Sequence, residues 1–230
     1  MDRKGEGMLN LTQIEVAADR IRPSIYESPL VHSKTLSRLT GNSIFLKLEN
    51  LQMTGSFKER GALNRILTMT ESERRQGVIA ASAGNHGQGV AYHAAHRGIP
   101  AQIWMPRSTP LIKLTATRGY GADIVLHGDN YDETCAAAVE RSIQRNATFI
   151  HPFDDDDVIA EWALVETVTL AQRWNIGIGQ AFDPFARVFQ VTDDARGIGA
   201  MLGIMVVIVA QLEEGGVDLL DILHLVVELR

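Results

Sequence analysis

One stretch of the chain indicates the architecture most clearly: Val78-Ile79-Ala80-Ala81-Ser82-Ala83-Gly84-Asn85-His86-Gly87-Gln88-Gly89. Residues 78–82 form the short apolar run that is typical of a buried strand, and the glycines after it mark a turn at which a helix begins. A turn of this kind aims several backbone N–H groups at one point, with the positive end of the helix dipole behind them. We therefore expect an anion-binding turn between a strand and a helix.

Strand-like and helix-like segments continue to alternate around this turn. The strand-like runs are at 78–82, 101–105, 124–126 and 148–150. The helical stretches are at 57–69, 85–97, 111–118 and 131–145. Strands and helices that alternate at this spacing form βαβ units. The sequence predicts an α/β fold in which a parallel sheet carries helices on both faces.

A lysine upstream of the turn occupies an unusual position, in the run Thr54-Gly55-Ser56-Phe57-Lys58-Glu59-Arg60-Gly61-Ala62. Ser56 and Glu59 have the spacing of a capping box, which predicts that a helix begins here with Lys58 in its first turn. The positive end of the helix dipole disfavours the ammonium form, so we expect a lowered pKa for Lys58. Such a lysine is a nucleophile that forms Schiff bases with carbonyl compounds, and the alternative is a solvated lysine on an amphipathic helix.

The lysine and the glycine-rich turn follow consecutive predicted strands, at 44–49 and 78–82. Ligands bind at the carboxyl ends of the strands in a parallel sheet, so we expect the amine and the anion site at one sheet edge. Three uses of the turn are open: a dinucleotide phosphate site, a carboxylate site or an ordinary tight turn. The order Gly84, Gly87, Gly89 does not fit Gly-x-Gly-x-x-Gly, which favours the carboxylate over the dinucleotide.

The overall composition favours small-molecule chemistry. A net charge of −6 and a pI near 5.6 argue against a nucleic-acid or anionic-membrane partner. The single cysteine, Cys135, cannot form an internal disulfide, which indicates a reducing cytoplasm. Residues 1–9 lack the apolar core of a secretory signal. The longest apolar stretch, 197–210, is too short to span a bilayer and is interpreted as a buried helix.

No metal site is expected from the histidines. His93 and His96 stand three residues apart on a predicted helix, but no third ligand lies near them in the sequence. A zinc site takes three or four protein ligands, so packed or solvent-facing histidines are the better interpretation.

With these motifs in view, residues 21–160 resemble the fold-type II pyridoxal phosphate enzymes (tryptophan synthase beta-like), and within them the threonine ammonia-lyases, or threonine dehydratases. The matching motifs are Tyr26-Glu27-Ser28-Pro29-Leu30, Leu46-Lys47-Leu48-Glu49-Asn50, the Lys58 run, Ser82-Ala83-Gly84-Asn85-His86, Val125-Leu126-His127-Gly128-Asp129 and Pro152-Phe153-Asp154-Asp155.

The resemblance implies roles for these residues. Lys58 would hold pyridoxal 5'-phosphate as a Schiff base and then, once released by the substrate, remove the substrate Cα proton. Phe57 would pack beside the cofactor, and Asn85 would hydrogen-bond its ring 3-oxygen. The substrate carboxylate would be bound by Ser82, Ala83 (through its backbone), Gly84, Asn85 and His86.

The implied activity is elimination of water from L-threonine or L-serine and deamination to 2-oxobutanoate or pyruvate and ammonia, by a cytoplasmic homo-oligomer. Alternatives are a serine racemase or β-replacement enzyme of the same fold, and a catalytically impaired remnant or amino-acid-binding module. Related serine racemases carry a second serine at the place of Ala83, so this residue favours elimination.

The chain departs from the family pattern after residue 160. The family carries a tetraglycine loop that binds the cofactor phosphate, and this sequence has no run of four glycines. We predict a catalytic region at 1–173 with a small domain at about 54–150, a linker at 174–185 and an ACT-like βαβ fragment at 186–230. The fragment would contain strands at 187–191 and 217–229 around a helix at 197–214.

Overall fold

The computed structural model describes residues 11–40, 43–160 and 205–209, which belong to two compact units. The first unit covers 1–25 and 58–164 and is called here the parallel unit. The second covers 26–57 and 165–230 and is called the antiparallel unit. The predicted division at 173 and 186 stays a prediction, because the linker and most of the C-terminal fragment lie outside the described residues.

Helices and strands alternate through most of the described chain. The helices are α1 (Leu11–Ile21), α2 (Lys34–Thr40), α3 (Lys58–Thr68), α4 (Glu71–Gln76), α5 (Asn85–Ala95), α6 (Leu111–Gly119), α7 (Tyr131–Arg145) and α8 (Asp156–Ala160). The strands are β1 (Leu30–His32), β2 (Ser43–Lys47), β3 (Val78–Ala81), β4 (Ala101–Met105), β5 (Asp123–Leu126), β6 (Thr148–Phe149) and β7 (Met205–Val209). None of the helices in these ranges is long and apolar enough to cross a membrane.

The parallel unit contains a four-stranded sheet in the order β5-β4-β3-β6, and every neighbouring pair is parallel. All four residues of β3 are buried, as expected for an inner strand of a parallel sheet. Val78 and Ala80 face a core that includes α3 and α5, while Ile79 and Ala81 face the other side, against α7. The α/β fold with a parallel sheet and helices on both faces is therefore confirmed.

The middle of α5, at Gly89, lies very close to the start of α3, at Glu59. A Cβ added at Gly89 would stand 2.9 Å from the Cα atom of Glu59, a distance that real Cβ contacts do not reach. Only glycine at this position permits the two helices to approach so closely. This approach, and not a shared sheet edge, brings the lysine helix to the glycine-rich turn.

We expect Gly89→Ala to destabilise the parallel unit by about 1–3 kcal/mol, because the added methyl group meets backbone that cannot move aside easily. Gly119→Ala is the matched control, since a Cβ at Gly119 has no neighbour within 4 Å. The measurement is the midpoint of urea unfolding. Equal midpoints for the two variants would show that the helices can separate at no cost.

The antiparallel unit corrects two sequence-based expectations. The first concerns the strand that precedes Lys58, which was expected in the same sheet as β3. Instead, β2 pairs antiparallel with β1 and β7 in a separate three-stranded sheet. Ile44, Phe45 and Leu46 form a continuous apolar run, which is also the pattern of strands inside parallel sheets, so the residues of β2 do not mark its antiparallel pairing.

The second correction concerns the predicted helix at 197–214. Residues Met205–Val209 form β7, which pairs with Ser43–Lys47. The prediction of a helix is therefore wrong at these positions. The physical reason is that Val206-Val207-Ile208-Val209 consists of β-branched residues, which favour extended backbone. The rest of the predicted helix and the strands at 187–191 and 217–229 lie outside the described residues, so the ACT-like fragment stays a prediction.

Two of the sequence motifs in the antiparallel unit form one buried polar network. The amine of Lys47 donates to the Ser28 carbonyl, and the Ser28 hydroxyl donates to Glu49 Oε1 at 2.5 Å. Gln52 Nε2 donates to Glu49 Oε2 at 3.1 Å and to the Tyr26 carbonyl at 2.7 Å. Lys47 and Glu49 are almost fully buried, so these bonds replace the water that both side chains lose on folding.

Candidate active site

Lys58 is the first residue of α3, one residue later than the Ser56–Glu59 spacing predicts. Its Nζ atom donates a hydrogen bond to the Pro152 carbonyl at 3.1 Å. Burial lowers the pKa of Lys58 from its ordinary 10.5 to about 7. The direction agrees with the sequence-based expectation, but the cause is loss of water around the ammonium group rather than the helix dipole. A substantial fraction of Lys58 side chains is therefore neutral near pH 7.

The glycine-rich turn lies between β3 and α5. Gly84 is the residue that precedes α5, and it offers no side chain to cap the first backbone N–H groups of this helix. The Gly84 N–H donates to the hydroxyl of Ser82 at 3.2 Å, which holds the turn in shape. A Cβ placed at Gly84 would meet nothing within 4 Å, so there is space directly above the turn. Uncapped N–H groups at a helix start with space in front of them form an anion-binding site.

His86, in the first turn of α5, is buried and neutral. Its Nε2 atom lies 3.0 Å from the Ile150 carbonyl, and because a carbonyl only accepts, Nε2 carries the proton. Burial, followed by the charge of Lys58, lowers the pKa of His86 to about 3. Its Nδ1 atom is thus an acceptor, and it has no hydrogen-bond partner among the described residues. An unpaired buried acceptor is costly unless a ligand or water supplies a donor.

The structure brings Lys58 and the turn residues into one neighbourhood of the parallel unit. The charge of Lys58 acts on His86, and both side chains bond to carbonyls of one short segment, at Pro152 and Ile150. Asn85 is the first residue of α5 and is partly buried. Ala83 is partly buried and packs against the core. Phe57 directly precedes Lys58 in the chain and is partly buried, at the last position before the parallel unit resumes.

Sequence reasoning missed the segment that receives the lysine. The carbonyls of Ile150 and Pro152 belong to the backbone, so no side-chain pattern marks them. The acidic residues that follow lead into α8 (Asp156–Ala160). Asp155 Oδ1 accepts from the N–H groups of Asp157 and Val158 at 3.0 and 3.4 Å, in the manner of an N-cap.

The acidic segment is also tied to the lysine helix. Arg65 Nε lies 3.1 Å from Asp155 Oδ2, and the Thr68 hydroxyl donates to Asp157 Oδ2 at 2.7 Å. These two bonds join the last half of α3 to the start of α8. They keep the segment that carries the Pro152 carbonyl close to the helix that carries Lys58.

The two helical histidines pack around one tyrosine. Tyr92 contacts the rings of His93 and His96 at centroid distances of 4.9 and 4.2 Å. His93 is buried, while His96 is exposed and shares a hydrogen bond between its Nδ1 atom and the Tyr92 carbonyl at 2.9 Å. The described ranges contain no group of three histidine, cysteine or acidic side chains able to hold a metal ion.

Comparison with known proteins places this geometry in a family. The pyridoxal-phosphate dependent enzyme family matches residues 21–173. The chain is 49% identical over 153 residues to the L-threonine ammonia-lyase of Thermotoga maritima, a match that covers 66% of this chain and 38% of that protein. It is 50% identical over 153 residues to the L-threonine ammonia-lyase of Geobacter sulfurreducens, again over 38% of the relative.

A solved structure gives the same result. The processed form of threonine deaminase isoform 2 from Solanum lycopersicum superposes with a TM-score of 0.62 and 35% identity, over 72% of this chain and 49% of that chain. The chain thus spans less than half the length of these curated relatives and about half the length of this solved chain. On this family match, with an α/β sheet and a buried lysine beside a glycine-rich turn, the chain belongs to the pyridoxal-phosphate dependent enzyme family.

Proposed function

We propose that the protein to which these residues belong eliminates water from L-threonine or L-serine and releases ammonia and a 2-oxo acid, with pyridoxal 5'-phosphate as its cofactor. The observation that carries the proposal is the enclosed amine of Lys58, with a pKa of about 7, beside a helix start open to an anion. Identity of 49% to an L-threonine ammonia-lyase across this region supports the choice of substrate class.

The residues present fit the reactive end of the cofactor. Lys58 would hold it through its amine, with Phe57 beside the ring and Asn85 at the ring 3-oxygen. The lowered pKa of Lys58 suits this use, because a neutral amine attacks a carbonyl group and an ammonium group does not. The tetraglycine loop expected for the phosphate is absent from the sequence, so other residues of the whole protein would have to supply phosphate contacts. When bound, pyridoxal phosphate supplies an electron sink for the negative charge that forms at the substrate Cα atom.

The chain's own groups have distinct tasks in this reaction. Backbone N–H groups of the turn that ends at His86 bind and orient the substrate carboxylate at the start of α5. The Ser82 N–H is not among them, because it donates to the Trp104 carbonyl at 3.0 Å. The neutral amine of Lys58 takes the Cα proton as a general base. The Pro152 carbonyl accepts a hydrogen bond from that amine, which directs Nζ and stabilises the ammonium form once the proton has been transferred.

The proposed function is tested by incubating the chain with L-threonine, with and without added pyridoxal phosphate. We expect ammonia and 2-oxobutanoate only when the cofactor is present. Calorimetric binding of an amino acid without ammonia release would contradict the lyase and support the amino-acid-binding module instead.

The same assay at different protein concentrations, with sedimentation of the chain, tests the proposal of a homo-oligomer. A cytoplasmic location is proposed on the single cysteine and is tested by fractionation.

Racemisation is the second candidate, because the serine racemase of Dictyostelium discoideum superposes on this chain with a TM-score of 0.65 and 34% identity, over 72% of this chain and 53% of that chain. Ala83 places a methyl group where related racemases carry a serine. We expect L-serine to give pyruvate and ammonia with almost no D-serine. We expect Ala83→Ser to raise the D-serine fraction by about tenfold, which is less than the rate gain that a well-positioned acid or base usually provides. Abundant D-serine from the unaltered chain would favour the racemase.

A further inference from the structure

The short segment at 150–154 supplies both carbonyl groups that hold the site's titratable side chains. Ile150 accepts from His86 at 3.0 Å, and Pro152 accepts from Lys58 at 3.1 Å. The Pro152 carbonyl lies outside regular secondary structure, since β6 ends at Phe149 and α8 begins at Asp156. Its direction therefore needs another source.

The imidazole of His151 provides that source. Its Nδ1 atom lies 2.8 Å from the Asp154 backbone nitrogen and 3.3 Å from the Phe153 backbone nitrogen. Both of these groups are donors, so Nδ1 must be an unprotonated acceptor. These two hydrogen bonds close a turn over residues 151–154. Pro152 lies inside this turn, because it stands in the chain between His151 and the two residues whose N–H groups His151 binds. Proline restricts φ at the same position, which reduces the freedom of the turn further.

The ring of His151 is itself held from two sides. Its centroid lies 4.6 Å from that of Phe153 at an interplanar angle of 88°, and 6.0 Å from that of Phe149 at 61°. Edge-to-face contacts at these distances are favourable for aromatic rings. The imidazole is consequently an ordered acceptor rather than a mobile one.

We propose that His151 is a positioning residue for Lys58: its Nδ1 atom holds the turn at 151–154, and the turn presents the Pro152 carbonyl to the lysine amine. The relevance of this role rests on the use of Lys58 in the proposed function. The test below needs neither cofactor nor substrate, so the two can fail separately. A chain that released no ammonia and yet showed the effects described here would refute the lyase and keep the positioning role.

Two variants separate this role from simple packing. His151→Asn removes the aromatic ring and keeps an acceptor, because the amide oxygen can reach the same backbone N–H groups as in an Asx turn. His151→Phe keeps a flat ring between Phe149 and Phe153 and removes the acceptor. If the ring matters only for packing, the phenylalanine variant behaves like the unaltered chain and the asparagine variant does not. The positioning role predicts the reverse order.

Two measurements on the chain without cofactor decide the matter. The first is amide hydrogen exchange at Phe153 and Asp154, which we expect to accelerate about tenfold in His151→Phe, as the loss of one hydrogen bond implies. The second is the pH midpoint for labelling of Lys58 by trinitrobenzenesulfonate, followed on the Lys58 peptide by mass spectrometry. In His151→Phe we expect this midpoint to rise by about one pH unit or more, because water reaches the amine once the turn opens, and burial is what lowers the Lys58 pKa in the unaltered chain. The exposed Lys113 serves as the internal reference for reagent reactivity.

In His151→Asn both quantities should stay close to those of the unaltered chain, within about threefold in exchange and about 0.3 in the pH midpoint. Circular dichroism melting of both variants shows that the fold is intact. An unchanged His151→Phe overturns the proposal. So does a His151→Asn variant in which exchange and the Lys58 midpoint change as much as in His151→Phe.

Discussion

Replacing Lys58 by alanine lowers the rate of ammonia release from L-threonine by about 10³-fold or more, because one residue supplies both the attachment point for the cofactor and the general base. The His86 imidazole in the same neighbourhood is no substitute for the lost amine, since burial lowers its pKa to about 3 and an imidazole cannot form a Schiff base with the cofactor. The measurement is the ammonia assay under saturating pyridoxal phosphate. Lys113→Ala, at an exposed position on α6, is the matched control and should retain full activity.

A Lys58→Ala variant that kept more than about a tenth of the activity would show that another residue serves as the base. Such a loss would correspond to an increase of less than about 1.4 kcal/mol in the activation free energy. Circular dichroism of the variant separates this outcome from unfolding. The visible absorption band that pyridoxal phosphate forms with the unaltered chain should disappear in the same variant.

Lys58 should also destabilise the folded chain at low pH, and Lys58→Met should relieve this. The pKa of Lys58 is about 7 in the folded chain and 10.5 as its ordinary value. Between these two pH values the unfolded chain binds a proton that the folded chain does not, so the stability of the unaltered chain rises with pH across this window. Below pH 7 the full penalty is present. This penalty lowers the free energy of unfolding by about 3–5 kcal/mol. The stability gained by Lys58→Met is smaller than the penalty, because the variant also loses the Lys58–Pro152 hydrogen bond.

The measurement is the free energy of unfolding in urea at several values from about pH 6 to pH 10, which spans most of the window between the two pKa values. We expect Lys58→Met to be more stable than the unaltered chain at the acidic end and the difference to shrink steadily toward the basic end. Lys113→Met is the control, because the Lys113 side chain stays exposed to water in the folded chain. A stability difference that did not depend on pH would mean that the Lys58 amine is well hydrated in the folded chain.

The parallel sheet could be predicted from sequence because its strands are short apolar runs separated by helices. The predicted runs for β3 and β4 match the observed strands closely. β3 is apolar and buried at every residue, as is typical of an inner parallel strand. The placement of β2 was not predicted. Pairing is a long-range choice, and β2 pairs with β1 and β7 rather than with β3. The centre of β2, Ile44-Phe45-Leu46, is continuously apolar, so it carries no signal for an antiparallel partner.

The candidate site was predictable only where side chains carry the chemistry. Lys58 and the turn from Ser82 to His86 stand out by residue type and spacing, and the structure places them in one neighbourhood. The Pro152 carbonyl did not stand out, because backbone groups have no sequence signature. The cause of the lowered pKa of Lys58 could not be predicted either, because burial of the amine depends on segments that are distant in sequence. The ion pair between Arg65 and Asp155 holds two such segments together.

Lys58 and Pro152 are 94 residues apart in the chain, yet their contact defines the chemistry of the amine. The close approach of α3 and α5 at Gly89 and the bonds from α3 to α8 make that contact possible. The prediction for Gly89→Ala therefore concerns the site as well as stability, since a displaced α5 carries the anion-binding turn with it.

In the proposed reaction the Lys58 amine is the group that captures pyridoxal phosphate. The most direct measurement is to incubate the chain with pyridoxal phosphate, reduce it with borohydride and locate the modified lysine by peptide mass spectrometry. We expect the phosphopyridoxyl group on the peptide that contains Lys58, at substoichiometric cofactor, with little on the exposed Lys113. Modification spread evenly over exposed lysines, with Lys58 unmodified, would contradict this role of Lys58.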